Sequence, residues 1–302
     1  MRLTLTLEPK NNDFTLPLNY QYYLYISFFI IFDNAKEEFK EWATKNKYTN
    51  RNGRYYLYNF SNIHFMNDKV IDISTATITS SGNVELTFSA PIFDKEIKDY
   101  LIELFKGNDI HFYPAKRENQ EFIITDVVEQ DEVEFEEISK YRMTSSSCYF
   151  TGNYGHFYKI GDGTLEKKLI YDLKIKYELV YKKEYDGEIN LFFDEEYQKV
   201  RKVTKLITMK ENTEKEYKIR SFYCPLTIEA SPEMQYIAYT CGIGMKNKFG
   251  FGSLKLLPKV EEIEVQNIDS SQQIEVQNSE TTQTNEDGIL SKVKNLFKFG
   301  KN

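Results

Sequence analysis

The chain has 302 residues, 41% of them hydrophobic and 28% charged, with a formal net charge of −7. That length suits two packed domains, and the balance of apolar and charged residues excludes a chain that is disordered throughout. Cys148, Cys224 and Cys241 are odd in number and too widely spaced for a disulfide framework, and His64, His111 and His156 lack metal-ligand spacing, so no cofactor is expected.

The opening residues 2–8 alternate as a strand does and do not resemble a signal peptide. The longest apolar run, 23–32, is about half the ~20 residues a membrane-spanning helix needs. A soluble cytoplasmic protein is therefore expected, with no membrane partner. Asn19 is placed to cap a helix over 21–30, and Asn34 a second over 35–44. Strand patterns follow at 55–61, 70–79 and 84–88, and the turn Ser80-Ser81-Gly82-Asn83 predicts that the last two form a hairpin. Pro91 precedes an amphipathic helix over 92–105, ended by Gly107-Asn108, and strands follow at 110–113 and 121–128.

A second round begins with strands at 133–143 and 157–160. Asp162-Gly163-Thr164 opens a long helix bearing Leu165, Leu169, Leu173, Ile175 and Leu179. A strand at 189–193 precedes a hairpin of 198–209 with 216–230, then Ser231-Pro232-Glu233 caps a short helix, and a strand at 251–257 closes the body. Each round reads strand, helix, hairpin, helix, strand. The fold class is therefore α+β, two tandem ferredoxin-like domains over 1–126 and 127–258. Residues 259–302 form an acidic tail: 259–288 carry a net −7 and read as a disordered linker, and 289–302 add +4 as a short basic amphipathic terminus.

The densest motif is Gly242-Ile243-Gly244-Met245-Lys246-Asn247-Lys248-Phe249-Gly250-Phe251-Gly252, between the last helix and the last strand. Its glycines permit positive φ and close approach of another backbone. Its exposed N–H groups, with Lys246 and Lys248, could meet a phosphate; a tight, flexible helix–strand connection accounts for the composition equally well. The Gly-Lys-Ser/Thr ending of a nucleotide loop is missing, and the loop leaves a helix rather than entering one.

This loop, with Met1-Arg2-Leu3 and the segment Leu16-Pro17-Leu18-Asn19-Tyr20-Gln21-Tyr22-Tyr23-Leu24, resembles the CRISPR repeat-processing endoribonucleases, the Cas-six family of the RAMP superfamily. The family pattern of Gly-apolar-Gly, five residues, then Gly-apolar-Gly is met at Gly242, Gly244, Gly250 and Gly252. The resemblance covers about residues 1–258 and implies paired RAMP (RRM-like) domains. It also implies metal-independent cleavage of precursor CRISPR RNA, in which a 2′-hydroxyl attacks the adjacent phosphate during antiviral defence. Many members use a Tyr in the first helix, a His just after it and a Lys shortly beyond. Here the tyrosine position falls on Phe29, residues 42–50 hold no His, and Arg54 is the rough equivalent of the lysine.

The charge map marks the same region. Residues 42–67 contain Lys45, Lys47, Arg51 and Arg54, no Asp or Glu, and interleaved Tyr48, Tyr55, Tyr56 and Tyr58. Cations beside aromatic faces suit phosphate attraction with base stacking, although an ordinary solvated loop has the same composition. Lys47, Arg51, Arg54 and His64 are the catalytic candidates, as phosphate stabilisers or proton carriers. His64 has the right unperturbed pKa, yet a lone His beside Phe65 and Met66 more often packs than reacts. The RNA-binding candidates are Gly242, Gly244, Lys246, Asn247, Lys248, Gly250 and Gly252, together with Lys199, Arg201 and Lys205, which would share one face of a strand.

The expected partners are CRISPR repeat RNA and its precursor, with effector-complex subunits and a second copy of the chain left open. Two rival readings stand beside the nuclease. One is a catalytically inactive RNA-binding subunit of a CRISPR complex, favoured by the missing Tyr and His. The other is a tandem ferredoxin-like protein with no RNA role.

Overall fold

The computed structural model of the protein describes residues 1–37, 39–40, 49–50, 53–152 and 156–258; for 49, 50, 53 and 54 it describes the backbone. The expected second helix falls partly, and the acidic tail wholly, outside the described residues, as do Lys47 and Arg51.

The first half runs β1 (Arg2–Pro9), β2 (Asp13–Pro17), α1 (Gln21–Asp33), β3 (Thr49–Asn50), β4 (Gly53–Arg54), β5 (Asn59–Phe60), β6 (His64–Phe65), β7 (Val70–Asp72), β8 (Thr77–Ser81), β9 (Val84–Ser89), α2 (Lys95–Phe105), β10 (Asp109–Phe112) and β11 (Gln120–Glu129). The main sheet has the order β10-β11-β1-β9-β5, with β6 also on β9, and every pairing is antiparallel. Without the edge strand β10, the last strand lies beside the first, the first beside the third, and the third beside the second. This is the ferredoxin-like arrangement.

The second half runs β12 (Ile138–Met143), β13 (Phe150–Thr151), β14 (His156–Phe157), α3 (Leu165–Tyr181), β15 (Asn190–Phe193), α4 (Glu195–Val200), β16 (Thr204–Met209), β17 (Tyr217–Phe222), β18 (Leu226–Glu229), α5 (Pro232–Cys241), a 3-10 turn (Asn247–Phe249) and β19 (Leu254–Leu256). Its sheet, β15-β18-β12-β19, repeats the same antiparallel order, so the tandem ferredoxin-like architecture expected from the sequence is present. The strand containing residue 126 continues to Glu129 in the first sheet, and the chain passes to the second sheet between Glu129 and Ile138.

Local chemistry explains most boundaries. In β1, Leu3, Leu5 and Leu7 are fully buried, as period-two alternation requires. Leu24, Phe28, Ile31 and Phe32 of α1 form its buried face, and Phe28, Phe32, Phe60, Phe88 and Phe105 make an aromatic core, with Phe88 and Phe105 centroids 5.0 Å apart. α2 starts at Lys95 rather than at residue 92, because the Asp94 carboxylate accepts hydrogen bonds from the Glu96 and Ile97 amides (2.8 and 3.2 Å). α3 is opened by Asp162, whose carboxylate accepts from the Thr164 and Leu165 amides, both at 2.9 Å.

Several expectations fail for non-local reasons. Asn19 does not cap α1; its side-chain oxygen accepts from the Thr208 amide (3.1 Å), tying the helix entry to β16. The strands either side of Ser80-Ser81-Gly82-Asn83 do not pair. β8 joins β2 and β7 in a separate sheet, whereas β9 joins β1. The strand expected over 198–209 is the short helix α4 followed by β16, because Asp194 caps the helix at the Tyr197 amide (2.7 Å). The strand over 216–230 is cut at Cys224-Pro225, where the chain leaves β16 and enters the second sheet. Among the described residues no helix is long and apolar enough to cross a membrane.

The Phe88 ring touches the rings of Phe28, Phe32, Tyr58 and Phe105. Phe88→Ala should lower folding stability by about 3–5 kcal/mol, measured by urea denaturation. A loss below ~1 kcal/mol would mean the site collapses around the missing ring.

Candidate functional site

The site is built on the end of α5 and the glycine-rich segment after it. A helix leaves its last carbonyls unpaired, and here they are buried between the two sheets. Arg2, from β1, is buried and donates to the Tyr239 carbonyl (2.8 Å) while its guanidinium lies 4.0 Å over the Tyr239 ring. Asn59, from β5, donates to the Thr240 carbonyl (2.9 Å). Positive charge at a helix C-terminus is also favoured by the helix dipole. Beyond the helix, Lys176 of α3 donates to the Gly242 and Gly244 carbonyls at 2.8 and 2.9 Å.

Lys176 is 1% exposed, and its charge is balanced by Asp172 one turn earlier, with N···O 2.6 Å. Burial pushes the Asp172 carboxyl above the usual carboxylate range, and Lys176 opposes the shift.

The glycines themselves face inward. All four have positive φ, between 72° and 78°, and all four are buried. A Cβ on Gly250 would meet the Phe60 ring at 2.3 Å, and one on Gly252 would meet the Ile243 carbonyl oxygen at 2.0 Å. The Gly242, Gly250 and Gly252 amides already donate to Ala238, Asn247 and Ser146 carbonyls. Asn247 is buried as well, donating to the Phe251 and Ile243 carbonyls. Gly242, Gly244, Asn247, Gly250 and Gly252, expected from the sequence to meet a ligand, are thus packed inside the protein. The backbone that approaches these glycines closely is the protein's own.

What the loop presents outward is Lys246 and Lys248. Lys248 Nζ lies 3.7 Å from the Tyr56 ring centre, 5.2 Å from Tyr25 and 5.4 Å from Phe249; Lys246 Nζ lies 5.7 Å from both Phe150 and Phe249. Phe249 packs on Tyr25 (4.2 Å), and the rings continue along α1 through Tyr22 and Phe29, with Lys210 Nζ 5.8 Å from Tyr22. The result is a ridge of partly exposed rings and ammonium groups. Burial, reinforced by Lys246, pulls the Lys248 amine down to about 8.

A second cationic surface is a cleft of about 730 Å³ between the two sheets, lined by His64, Lys69, Arg142, Lys205 and Lys255 among others. Arg142 on β12 and Lys255 on β19 are register partners, so two exposed cations stand side by side on one face. Like charges placed opposite each other destabilise a sheet. Lys205 is exposed as a residue, but its amine sits 4.3 Å over the Tyr223 ring, and desolvation there lowers its pKa. Ser146 Oγ, at the cleft wall, is buried without a hydrogen-bond partner. Cleft and ridge adjoin: Gln21 lines the cleft and Tyr22 begins the ridge, while Lys205 lines the cleft and Lys210 follows on the ridge.

The remaining candidates are dispersed. Lys199 belongs to α4, pairs with Glu196 at 2.6 Å and lines a different hollow; Arg201 ends that helix. Neither shares a strand face with Lys205, because the helix places them elsewhere. Arg54 contributes backbone pairing to Thr49. His64 is exposed in the cleft, whose lining contains neither Lys246 nor Lys248. Sequence reasoning missed Lys176, Arg142 and Lys255. Of these, Arg142 carried a signal, since it alternates with buried Tyr141 and Met143.

Replacing Lys176 alone strands a buried carboxylate, so Lys176→Met should cost about 3–5 kcal/mol. Adding Asp172→Leu should recover part of that loss, as read by urea denaturation of both variants. A single variant as stable as the parent would contradict the buried anchor.

With this geometry in hand, residues 126–256 match the family described as CRISPR associated protein Cas6, C-terminal. Solved structures share the fold. One described as an RAMP protein binding different RNA substrates has TM-score 0.66 and 17% identity, covering 85% of this chain and 100% of its own. A Cas6-related protein from Pyrococcus furiosus has TM-score 0.65 and 17% identity, covering 85% and 98%. A structure described as CRISPR associated protein Cas6 has TM-score 0.60 and 18% identity, covering 85% and 99%. Among curated proteins, none matches the sequence. The C-terminal part of the chain thus matches the Cas6 C-terminal family, and the body as a whole shares the tandem fold of those structures.

Proposed function

We propose that the protein binds CRISPR repeat RNA and cuts precursor CRISPR RNA without a metal ion, by attack of a 2′-hydroxyl on the adjacent phosphate. The observation that carries this reading is the side-by-side placement of Arg142 and Lys255 in a cleft that also holds Lys205, on a chain with an overall negative charge. Such a cluster costs folding energy on its own, and a polyanion would offset that cost. The neighbouring ridge of Tyr22, Tyr25, Phe29, Tyr56 and Phe249 offers faces on which unpaired bases stack.

The reaction needs three things: an acceptor for the 2′-hydroxyl proton, positive charge on the phosphorane, and a proton for the leaving 5′-oxygen. Lys246 stands where ammonium charge would meet a phosphate laid on the ridge, with the Lys248 amine beside it. Lys47, Arg51 and Arg54, on the segment between α1 and β5, are proposed to add charge to the same phosphate, and Lys205 to hold the RNA in the cleft. Contacts of this kind set register rather than sequence. The inactive RNA-binding subunit keeps one observation in its favour. Phe29 is 41% exposed on α1 at the position where the family pattern has a tyrosine, and it has no hydroxyl to offer.

Labelled repeat RNA incubated with EDTA decides between these readings. Cleavage to a cyclic phosphate and a 5′-hydroxyl end is expected; metal-dependent products with 3′-hydroxyl ends overturn the mechanism, and tight binding without cutting favours the inactive subunit. For the cleft, the double variant Arg142→Ala/Lys255→Ala should flatten the log–log salt dependence of RNA binding by about 1.4, two phosphate contacts at ~0.7 each for single strands. An unchanged slope removes the cleft from the RNA path.

A further inference from the structure

We propose that the Lys248 side chain is the group that takes the proton from the attacking 2′-hydroxyl, so that the chain performs base catalysis with a caged amine. This inference rests on the cleavage reading above. The geometry is specific to Lys248. Its amine is enclosed by Tyr56, Tyr25 and Phe249, with the Tyr56 ring centre only 3.7 Å away. No carboxylate among the described residues pairs with it, whereas Lys10, Lys98, Lys176 and Lys199 are each in an ion pair.

An aromatic cage stabilises the ammonium form only partly, because ring faces replace the water that would solvate the charge. The second ammonium, Lys246, disfavours the protonated form further. Burial and this neighbour together bring the Lys248 amine to about 8, so near neutral pH a useful fraction is the free base. An arginine cannot do this, since it stays protonated.

The backbone beneath Lys248 is fixed. Lys248 is the middle residue of the 3-10 turn Asn247–Phe249, set between left-handed Lys246 (φ 63°) and Gly250 (φ 78°). The buried Asn247 amide bonds to Phe251 and Ile243, so the turn is held from within. A base needs such placement, because proton transfer is efficient only within hydrogen-bond reach. In the step itself, neutral Lys248 Nζ accepts the 2′-hydroxyl proton as the 2′-oxygen forms its bond to phosphorus. The bond from phosphorus to the 5′-oxygen breaks, its electron pair leaves on that oxygen, and a solvent proton completes the 5′-hydroxyl. Lys248 then returns its proton to solvent. The products are a 2′,3′-cyclic phosphate and a 5′-hydroxyl, with no oxidation and no net consumption of water. Lys246 stays charged beside the phosphate.

The test compares full-length wild type with Lys248→Arg in single-turnover cleavage of labelled repeat RNA, with EDTA, from about pH 6 to about pH 10. The wild-type rate should climb with pH and level off with a midpoint near 8. Lys248→Arg keeps the charge and the cage but cannot accept a proton. It should bind RNA within a factor of about three of wild type and cut ~10²–10³-fold more slowly, without that rising limb. If Lys248 merely held a phosphate, the arginine variant would cut at near the wild-type rate, and the inference would fall alone. A wild-type chain that binds repeat RNA and never cuts it overturns the cleavage reading and this inference together. A readout free of activity is the pH dependence of amine acylation at Lys248, followed by peptide mass spectrometry. A midpoint near 8 is expected, and an ordinary lysine midpoint of about 10.4 overturns the assignment.

Discussion

The structure depends on how buried carbonyl groups at the end of α5 and in the glycine segment find donors. Each such group left unpaired away from water would cost roughly 1–3 kcal/mol. Four of them are met by side chains from three distant parts of the chain: Arg2 at Tyr239, Asn59 at Thr240, and Lys176 at Gly242 and Gly244. Two of those three donors are cations, and both are buried. Arg2 is accommodated against an aromatic face, and Lys176 against Asp172. The same contacts that satisfy the carbonyls fasten the last helix to the first strand, so the two sheets and the loop are set by one group of interactions.

From this anchoring follows the division of labour in the glycine segment. Its backbone is consumed inside the protein, and positive φ at four glycines lets it fold back within contact of Phe60, Ser147 and Ile243. Only the side chains at its apex reach outward, and they do so from a turn with little freedom. Rigid support under a few outward cations is the arrangement that catalytic and phosphate-holding groups need, because misplacement of about 1 Å is costly to a reaction rate. The cleft next to it is built differently. Its cations Arg142, Lys205 and Lys255 come from strand positions, with Arg142 and Lys255 in register on one face.

The order of elements was legible in the sequence because it rests on local patterns. Alternation in β1, the leucine spacing of α3 and the Ser231-Pro232 start of α5 all act within a few residues, and the repeat of strand, helix, hairpin, helix, strand led to the ferredoxin-like pair. What failed was pairing and role. Ser80-Ser81-Gly82-Asn83 looks like a hairpin turn, yet β8 finds its partner in β2, some sixty residues earlier in the chain. Lys199, Arg201 and Lys205 seemed to share a strand face because Asp194 was not recognised as a helix cap. The glycine pattern was found by spacing, but spacing does not say whether the close approach it permits comes from a ligand or from Phe60. Lys176 sits in a helix that reads as amphipathic with surface lysines, and only the fold reveals that it points into the core. Arg142 and Lys255 become a pair only once β12 and β19 are in register.

The most direct measurement is a structure of the protein with repeat RNA carrying a 2′-deoxy nucleotide at the cleavage position, so that binding proceeds and cutting does not. The account predicts the scissile phosphate beside Lys246 and Lys248, neighbouring bases on the Tyr25 and Tyr56 faces, a stretch of backbone along Arg142 and Lys255, and the four glycines still buried against the protein. RNA bound on another surface, with the ridge bare and the cleft empty of phosphate, would contradict it.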